Sequence, residues 1–200
     1  MVSPDDIQVL EDLVLALAYA PGPKGKVGEP LRGKTVIQKL LFHMKKSVGK
    51  GIPVEEMPHF YGPFDEVASS VFDGLEISGY LKTDRDHKII QLTSRGLGEA
   101  KSVWEQKLSN RERQVISALK EQFGDLSTDE VLAITYAKYP ESAAASIIKE
   151  ELSGQRGASI AVDLVRRGKI SADLGAKIAN MRLKDFIQVL SKHKIPVIRA

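Results

Sequence analysis

Six polar side chains near the C-terminus have the types and spacing needed to hold duplex DNA. Arg182, Lys184, Asp185, Gln188 and Lys192 fall on the outward side of one predicted helix, where Lys184, Gln188 and Lys192 recur at intervals of four and share a face. Arginine can read guanine bidentately, glutamine can read adenine, and lysine mainly holds phosphate. Lys169 and Lys177, just upstream, are suited to the phosphate backbone. A second group of candidate contacts, Lys82, Arg85 and Lys88, surrounds a polar turn, where Asp84 and Asp86 oppose that role.

Other chemistry is thinner. The string Gly28-Glu-Pro-Leu-Arg-Gly33-Lys34-Thr35 satisfies the phosphate-loop spacing G-x-x-x-x-G-K-[ST]. That mechanism requires a buried strand immediately before the loop, and APGPKGKV offers none; Pro30 also removes an amide donor. Thr35 as a helix cap, with Lys34 and Arg32 as surface or phosphate-backbone contacts, accounts for the string without a nucleotide. His43, His59, His87 and His193 have no ligand-like pairing, and Glu55-Glu56-x-x-His59 lacks the second histidine of a zinc helix. No serine sits in a nucleophile elbow. Neither a catalytic centre, a metal nor a cofactor is expected.

The elements that must position these residues are mostly helical. Ile7, Leu10, Leu13, Val14 and Leu17 mark an amphipathic helix over about Pro4 to Tyr19. A Gly/Pro-rich loop at 20–30 precedes a helix expected to be capped by Thr35 and lined by Val36, Ile37, Leu40, Leu41 and Met44. Pro63 suits the first turn of a third helix, which Gly79 ends as its C′ residue. A hairpin, Tyr80–Thr83 and Lys88–Leu92, follows. Thr93 caps a helix carrying Leu97, Ala100, Val103 and Trp104; Ser109/Glu112 and Ser127/Glu130 are capping boxes opening two more. Ser142 is expected to start a short alanine-rich helix reaching about Glu151.

The stretch 170–190 fits two short helices crossing at a tight turn. Ser171 caps the first, Ala176 is small enough for close contact, and Asn180 tolerates the left-handed turn. Met181, Leu183, Phe186, Ile187 and Leu190 are expected on the buried side of the second. The expected organisation is a winged-helix-like domain with a helical extension over 1–152, a linker at 153–159, and a helix-turn-helix unit over 160–200: a mainly α protein with a short β-hairpin.

Composition fits such a reading. The chain lacks cysteine, so disulfides and thiolate sites are excluded, and no apolar run approaches the length of a membrane span. With its polar N-terminus, the chain is expected to be cytoplasmic. The net charge of +3 hides an asymmetry: residues 154–200 carry ten Lys/Arg and three Asp, or +7, against 19 basic and 23 acidic residues elsewhere, or −4. A basic tail on an acidic body is the electrostatic footprint of polyanion binding.

The string GKISADLGAKIANMRLKDFIQVLSKHKIPVI (168–198) resembles a family of small prokaryotic antitoxin-like proteins encoded beside PIN-domain ribonuclease toxins. The match rests on Gly168, Lys169, Ile170, Ser171, Ala176, Ala179, Met181, Leu183, Phe186, Leu190, Ile195 and Pro196, with Asn180 in place of the usual glycine and Arg182 in place of the usual capping serine. GKTVIQKLLF (33–42), FYGPFDEVASSVFDGLEISGYL (60–81), QLTSRG (91–96) and STDEVLAITYAKYPE (127–141) are similar to YwgA-like and Panacea-type domains, winged-helix-like modules among which Panacea domains neutralise toxins. The resemblances imply a DNA-binding regulator of the antitoxin type. The expected partners are duplex DNA, a protein toxin and a second copy of the chain; Ile195–Ile198 is expected to add a short strand where the C-terminal unit packs on the N-terminal body or pairs with that copy. The alternative is an interaction module that neutralises a toxin or scaffolds a partner without specific DNA binding.

Overall fold

The computed structural model describes residues 3–49, 51–55, 57, 59, 61–84, 86 and 88–196. They form a mainly helical fold with one small antiparallel sheet of three strands. The chain divides into two compact units, one of Met1–Met57 with Pro63–Thr128, the other of Pro58–Gly62 with Asp129–Ala200.

In the first unit α1 (Pro4–Tyr19) starts at a capping box: the Asp6 amide donates to Ser3 Oγ at 3.1 Å, and the Ser3 amide to Asp6 Oδ2 at 2.9 Å. Its last turn carries no basic residue. The missing cation comes from α5 (Asn110–Phe123), whose fully buried Lys120 donates to the Leu17 and Ala18 carbonyls at 2.8 Å each. A remote lysine thus satisfies helix-end carbonyls that have no intrahelical donor.

Helix α2 (Gly33–Val48) begins two residues before the expected cap: Arg32 is the N-cap without a side-chain bond, and Thr35 lies inside the first turn. Its buried face is polar as well as apolar. Gln38 bonds the backbone of Asp65 in both directions, at 3.0 and 3.2 Å, while Lys39 donates to the Pro63 carbonyl and Lys45 to that of Val54. These contacts hold the segment leading to α3 (Glu66–Ile77), which starts three residues after Pro63 because Asp65 caps it, accepting the Ala68 amide at 2.7 Å.

Strands β2 (Leu81–Asp84) and β3 (Ile89–Leu92) form the expected hairpin, with Leu81 opposite Leu92. Strand β1 (Leu31–Arg32) pairs with Ile90 and Ile89, giving the order β1-β3-β2. Two residues directly after a Gly/Pro-rich loop are too few to show alternation, so this strand left no trace in the pattern. Thr93 caps α4 (Ser94–Ser102) as expected, and a π-helical turn, Val103–Lys107, continues it. Leu97 is exposed rather than buried. The Ser109/Glu112 capping box opens α5. Helix α1 packs on α3 and α4, and α2 on α5.

Helix α6 (Thr128–Lys138) leads into the second unit. The expected alanine-rich helix is instead a short 3-10 turn, Pro140–Ala143, followed by irregular turns. Serine side chains take over the local bonding there: Ser142 Oγ donates to the Tyr139 carbonyl at 2.7 Å, and Ser146 Oγ bonds the Tyr136 hydroxyl at 2.7 Å. Residues 153–159 are not a linker, since Gly154 starts α7 (Gly154–Arg166). Leu132, Tyr136, Ala143 and Leu152 cluster with Ile160 of α7, so apolar contact draws the segment after Thr128 into the C-terminal unit and moves the division from 152 to 128. Helices α8 (Ala172–Ile178) and α9 (Leu183–Lys192) complete the unit. Among the described residues no helix is long and apolar enough to cross a membrane.

Candidate functional site

Local chemistry fixes the α7–α8–α9 arrangement. Ser171 caps α8, accepting the Leu174 amide at 3.3 Å. α7 meets α8 at Gly157, where a Cβ would stand 2.9 Å from the Ile178 carbonyl oxygen. α8 meets α9 at Gly175, where a Cβ would stand 2.6 Å from the Phe186 ring. The close contact expected of Ala176 therefore belongs to its neighbour, although Ala176 is buried too.

Each of the three helices ends in the same way. Gly168, Asn180 and Lys194 take positive φ (69°, 49° and 55°), and the next residue's amide reaches back to Leu164, Ala176 or Leu190, at 2.9, 2.9 and 3.0 Å. This is the Schellman pattern, in which a left-handed C′ residue lets the chain recover two carbonyls while reversing direction. Asn180 thus makes the turn in the absence of glycine. Ile195, expected to begin a short contact strand, is instead buried at the end of α9, with Leu190 also buried; residues 197–198 of that expected strand lie outside the described residues.

The sequence-predicted contacts fall on α8, the turn and α9. Arg182 is the N-cap of α9 and makes no capping bond, so no side chain closes the first amides of this helix. Its guanidinium is 86 % exposed and lies 2.7 Å from Asp185, whose hydrogen bond and charge raise the arginine pKa further. Lys184, Gln188 and Lys192 are exposed at intervals of four, one stripe along α9. Lys177 is exposed on α8, 3.1 Å from Asp173, and Lys169 is half-buried before α8.

Ion pairing sorts the cations of this segment. On α7, Arg156 pairs with Asp129 and Arg167 with Glu130 and Asp163, while Arg166 lies 3.5 Å from Asp163. Among the described residues Lys184, Lys192 and Lys194 have no ion pair. The uncompensated positive charge therefore collects on and after α9.

Two residues expected in the core are at the surface. Met181 is 36 % and Leu183 42 % exposed, while Phe186 and Leu190 are buried completely and Ile187 partly. The apolar stripe is correct in phase for Leu183, three residues before buried Phe186, but what covers a given turn is a matter of tertiary neighbours, which periodicity cannot register. Leu183 thereby joins the exposed face as an apolar side chain that sequence reasoning missed. Its position beside Lys184 in the first helical turn was the available signal.

The wing candidates belong to the other unit. Lys82 on β2 and Lys88, at φ 53°, are exposed; Arg85 lies outside the described residues. The phosphate-loop string is also occupied by the fold. β1 forms in its middle rather than before it, and Lys34 pairs with Asp73 and sits 4.6 Å from the centre of the Phe72 ring. Glu29 accepts the Lys24 and Lys26 amides at 3.0 and 2.9 Å. His43 is buried, with its ring 4.8 Å from that of Phe123. No family model matches the chain, and comparison with curated proteins and with solved structures likewise gives no match.

Proposed function

We propose that the protein is a DNA-binding regulator of the antitoxin type, and that α8, its turn and α9 act as a helix-turn-helix on duplex DNA. The observation that carries this reading is the start of α9. Its amides have no side-chain cap, and Arg182, Lys184, Gln188 and Lys192 run outward from that end. An open helix N-terminus favours a phosphate, and side chains in the first turns of a recognition helix reach base edges. Gln188 suits adenine, Arg182 guanine, and exposed Leu183 a thymine methyl. Lys169, Lys177 and Lys192 suit the flanking phosphates.

The first unit supports a different role within the same regulator. Its order α1-β1-α2-α3-β2-β3, with the sheet ordered β1-β3-β2, fits a winged-helix-like module. Yet α3, the helix before the wing, carries Glu66, Asp73 and Glu76 and no Lys or Arg. Lys34 of α2 compensates Asp73 and Glu76, so α3 has no cation of its own to offer a phosphate, which argues against it as a groove reader. An acidic helix ending in Ile77, which is 87 % exposed, favours a protein partner such as a toxin for this half. Its Lys82 and Lys88 are secondary contacts at most, and a cytoplasmic homodimer on a two-fold operator is the assembly this reading implies.

Fluorescence anisotropy with labelled genomic duplex fragments at two salt concentrations tests the reading. Salt-sensitive binding is expected, and Arg182→Ala with Lys184→Ala is expected to weaken it by about tenfold or more, the weight of one or two charged contacts. Unchanged affinity in that double variant would show that α9 is not the reading helix. The absence of salt-sensitive binding to any duplex would end the DNA reading itself.

A further inference from the structure

Within the second unit, α6, the turns after it and the α8 end enclose a groove of about 690 Å³, partly open to solvent and in the size range of small-molecule sites. Alanines create the space: Ala133 and Ala137 stand one turn apart on α6, and Ala176 faces the groove from α8. Leu152 and Ile178 extend this apolar floor, and the half-exposed Met181 lines it instead of packing in the helical core.

The charged residues lining the groove are all cations. Lys149, Lys177 and Arg182 line it, and among the described residues no carboxylate does. Lys177 and Arg182 have carboxylate neighbours, Asp173 and Asp185, but these ion pairs are largely solvent-exposed and so are readily exchanged for a ligand anion. Lys149 is exposed and has no ion pair among the described residues. An apolar floor beneath a cationic rim is complementary to a molecule with a hydrophobic body and one negative head.

We propose that this groove binds a small apolar acid, its ring or short aliphatic body on the alanine floor and its anionic group facing Lys149, Lys177 and Arg182. Binding itself does not depend on the DNA reading. One consequence does: the acid engages Arg182 and Lys177, which are also assigned to the duplex, so acid and DNA exclude one another at the same turn.

The test is a fluorescence titration of the full chain with anilinonaphthalene sulfonate, a hydrophobic body with one anionic head, against neutral phenylnaphthylamine as comparator. One saturable site is expected for the sulfonate, with the neutral compound weaker by about tenfold, the weight of one charge-assisted contact. Naphthoate should displace the dye. Ala137→Phe, which fills the groove, should abolish binding, and Lys149→Gln should weaken it about threefold or more, within the range of one exposed charge contact. Circular dichroism establishes that the Phe variant is folded; if it is not, the surface Lys149→Gln variant decides. The proposal is overturned if the wild type shows no saturable site, if the neutral compound binds as tightly, or if Lys149→Gln leaves affinity unchanged. Displacement by an acidic peptide but not by naphthoate would also overturn it, in favour of a protein segment. Wild-type protein that binds duplex but shows no saturable dye site would remove the groove while leaving the DNA reading intact.

Discussion

Two buried lysines make stability respond to pH in an unusual direction. Desolvation lowers Lys39 from 10.5 to about 7, and it does the same to Lys120, although the charge of Glu29 opposes the shift at Lys120. Between about 7 and 10.5 the unfolded chain binds more protons at these groups than the folded one. Stability therefore rises with pH across that window, and below it the charged lysines exert their full penalty. Trp104, the only tryptophan, lies in the same unit and reports its unfolding. The urea midpoint followed by its fluorescence should increase from neutral pH toward about pH 10. Lys120→Met should flatten that dependence. A midpoint that falls steadily over this range would contradict the burial of both ammonium groups.

At the scale of elements, the turn between α8 and α9 depends on one residue. Asn180 holds φ at 49°, and its amide and that of Met181 close the Schellman bonds to Lys177 and Ala176, at 3.1 and 2.9 Å. Asn180→Val places a β-branched residue in the left-handed region, at a cost of about 1–2 kcal/mol. Asn180→Gly should retain or raise stability. Hydrogen exchange of the α8 and α9 amides is the suitable readout, because the unit lacks tryptophan. Faster exchange in the Gly variant than in the Val variant would mean that the turn is not held by this conformation.

The same elements show why some boundaries were legible and others were not. Capping at Thr93, Ser109 and Ser171 was readable because a hydroxyl three residues from a free amide is a local arrangement. The start of α3 was misjudged because Asp65 is held in place by Gln38 from a different helix. The segment 142–151 has helical composition, yet its serines bond locally and Ala143 enters a core cluster. Propensity yields to tertiary contact at such places.

For the whole molecule, the distribution of charge separates the two candidate binding faces. The DNA reading assigns five cations, Lys169, Lys177, Arg182, Lys184 and Lys192, to the C-terminal unit. Neutralising about five phosphates gives a log–log salt slope of about −4.5, at roughly 0.9 per contact. Lys184→Ala with Lys192→Ala should reduce that slope by about two. Lys82→Ala with Lys88→Ala, in the unit where Glu66, Asp73 and Glu76 line α3, should alter it far less. A larger effect from the second pair, measured by anisotropy across a salt series, would move the duplex to the wing.

Sequence alone determined the parts that depend on neighbours along the chain: the span of α1, the hairpin, the caps, the left-handed turn at Asn180, and the charge asymmetry that singles out residues 154–200. These follow from hydrogen bonds and side-chain periods that operate within a few residues. Only tertiary structure decided that 153–159 is helix rather than linker, that Lys34 is held by Asp73, that Gly175 rather than Ala176 meets Phe186, and that Met181 and Leu183 are exposed. It also decided which cations lack acidic partners and so collect positive charge around α9. Each of those outcomes depends on which distant atoms come within a few ångströms, and periodicity along a chain carries no information about that.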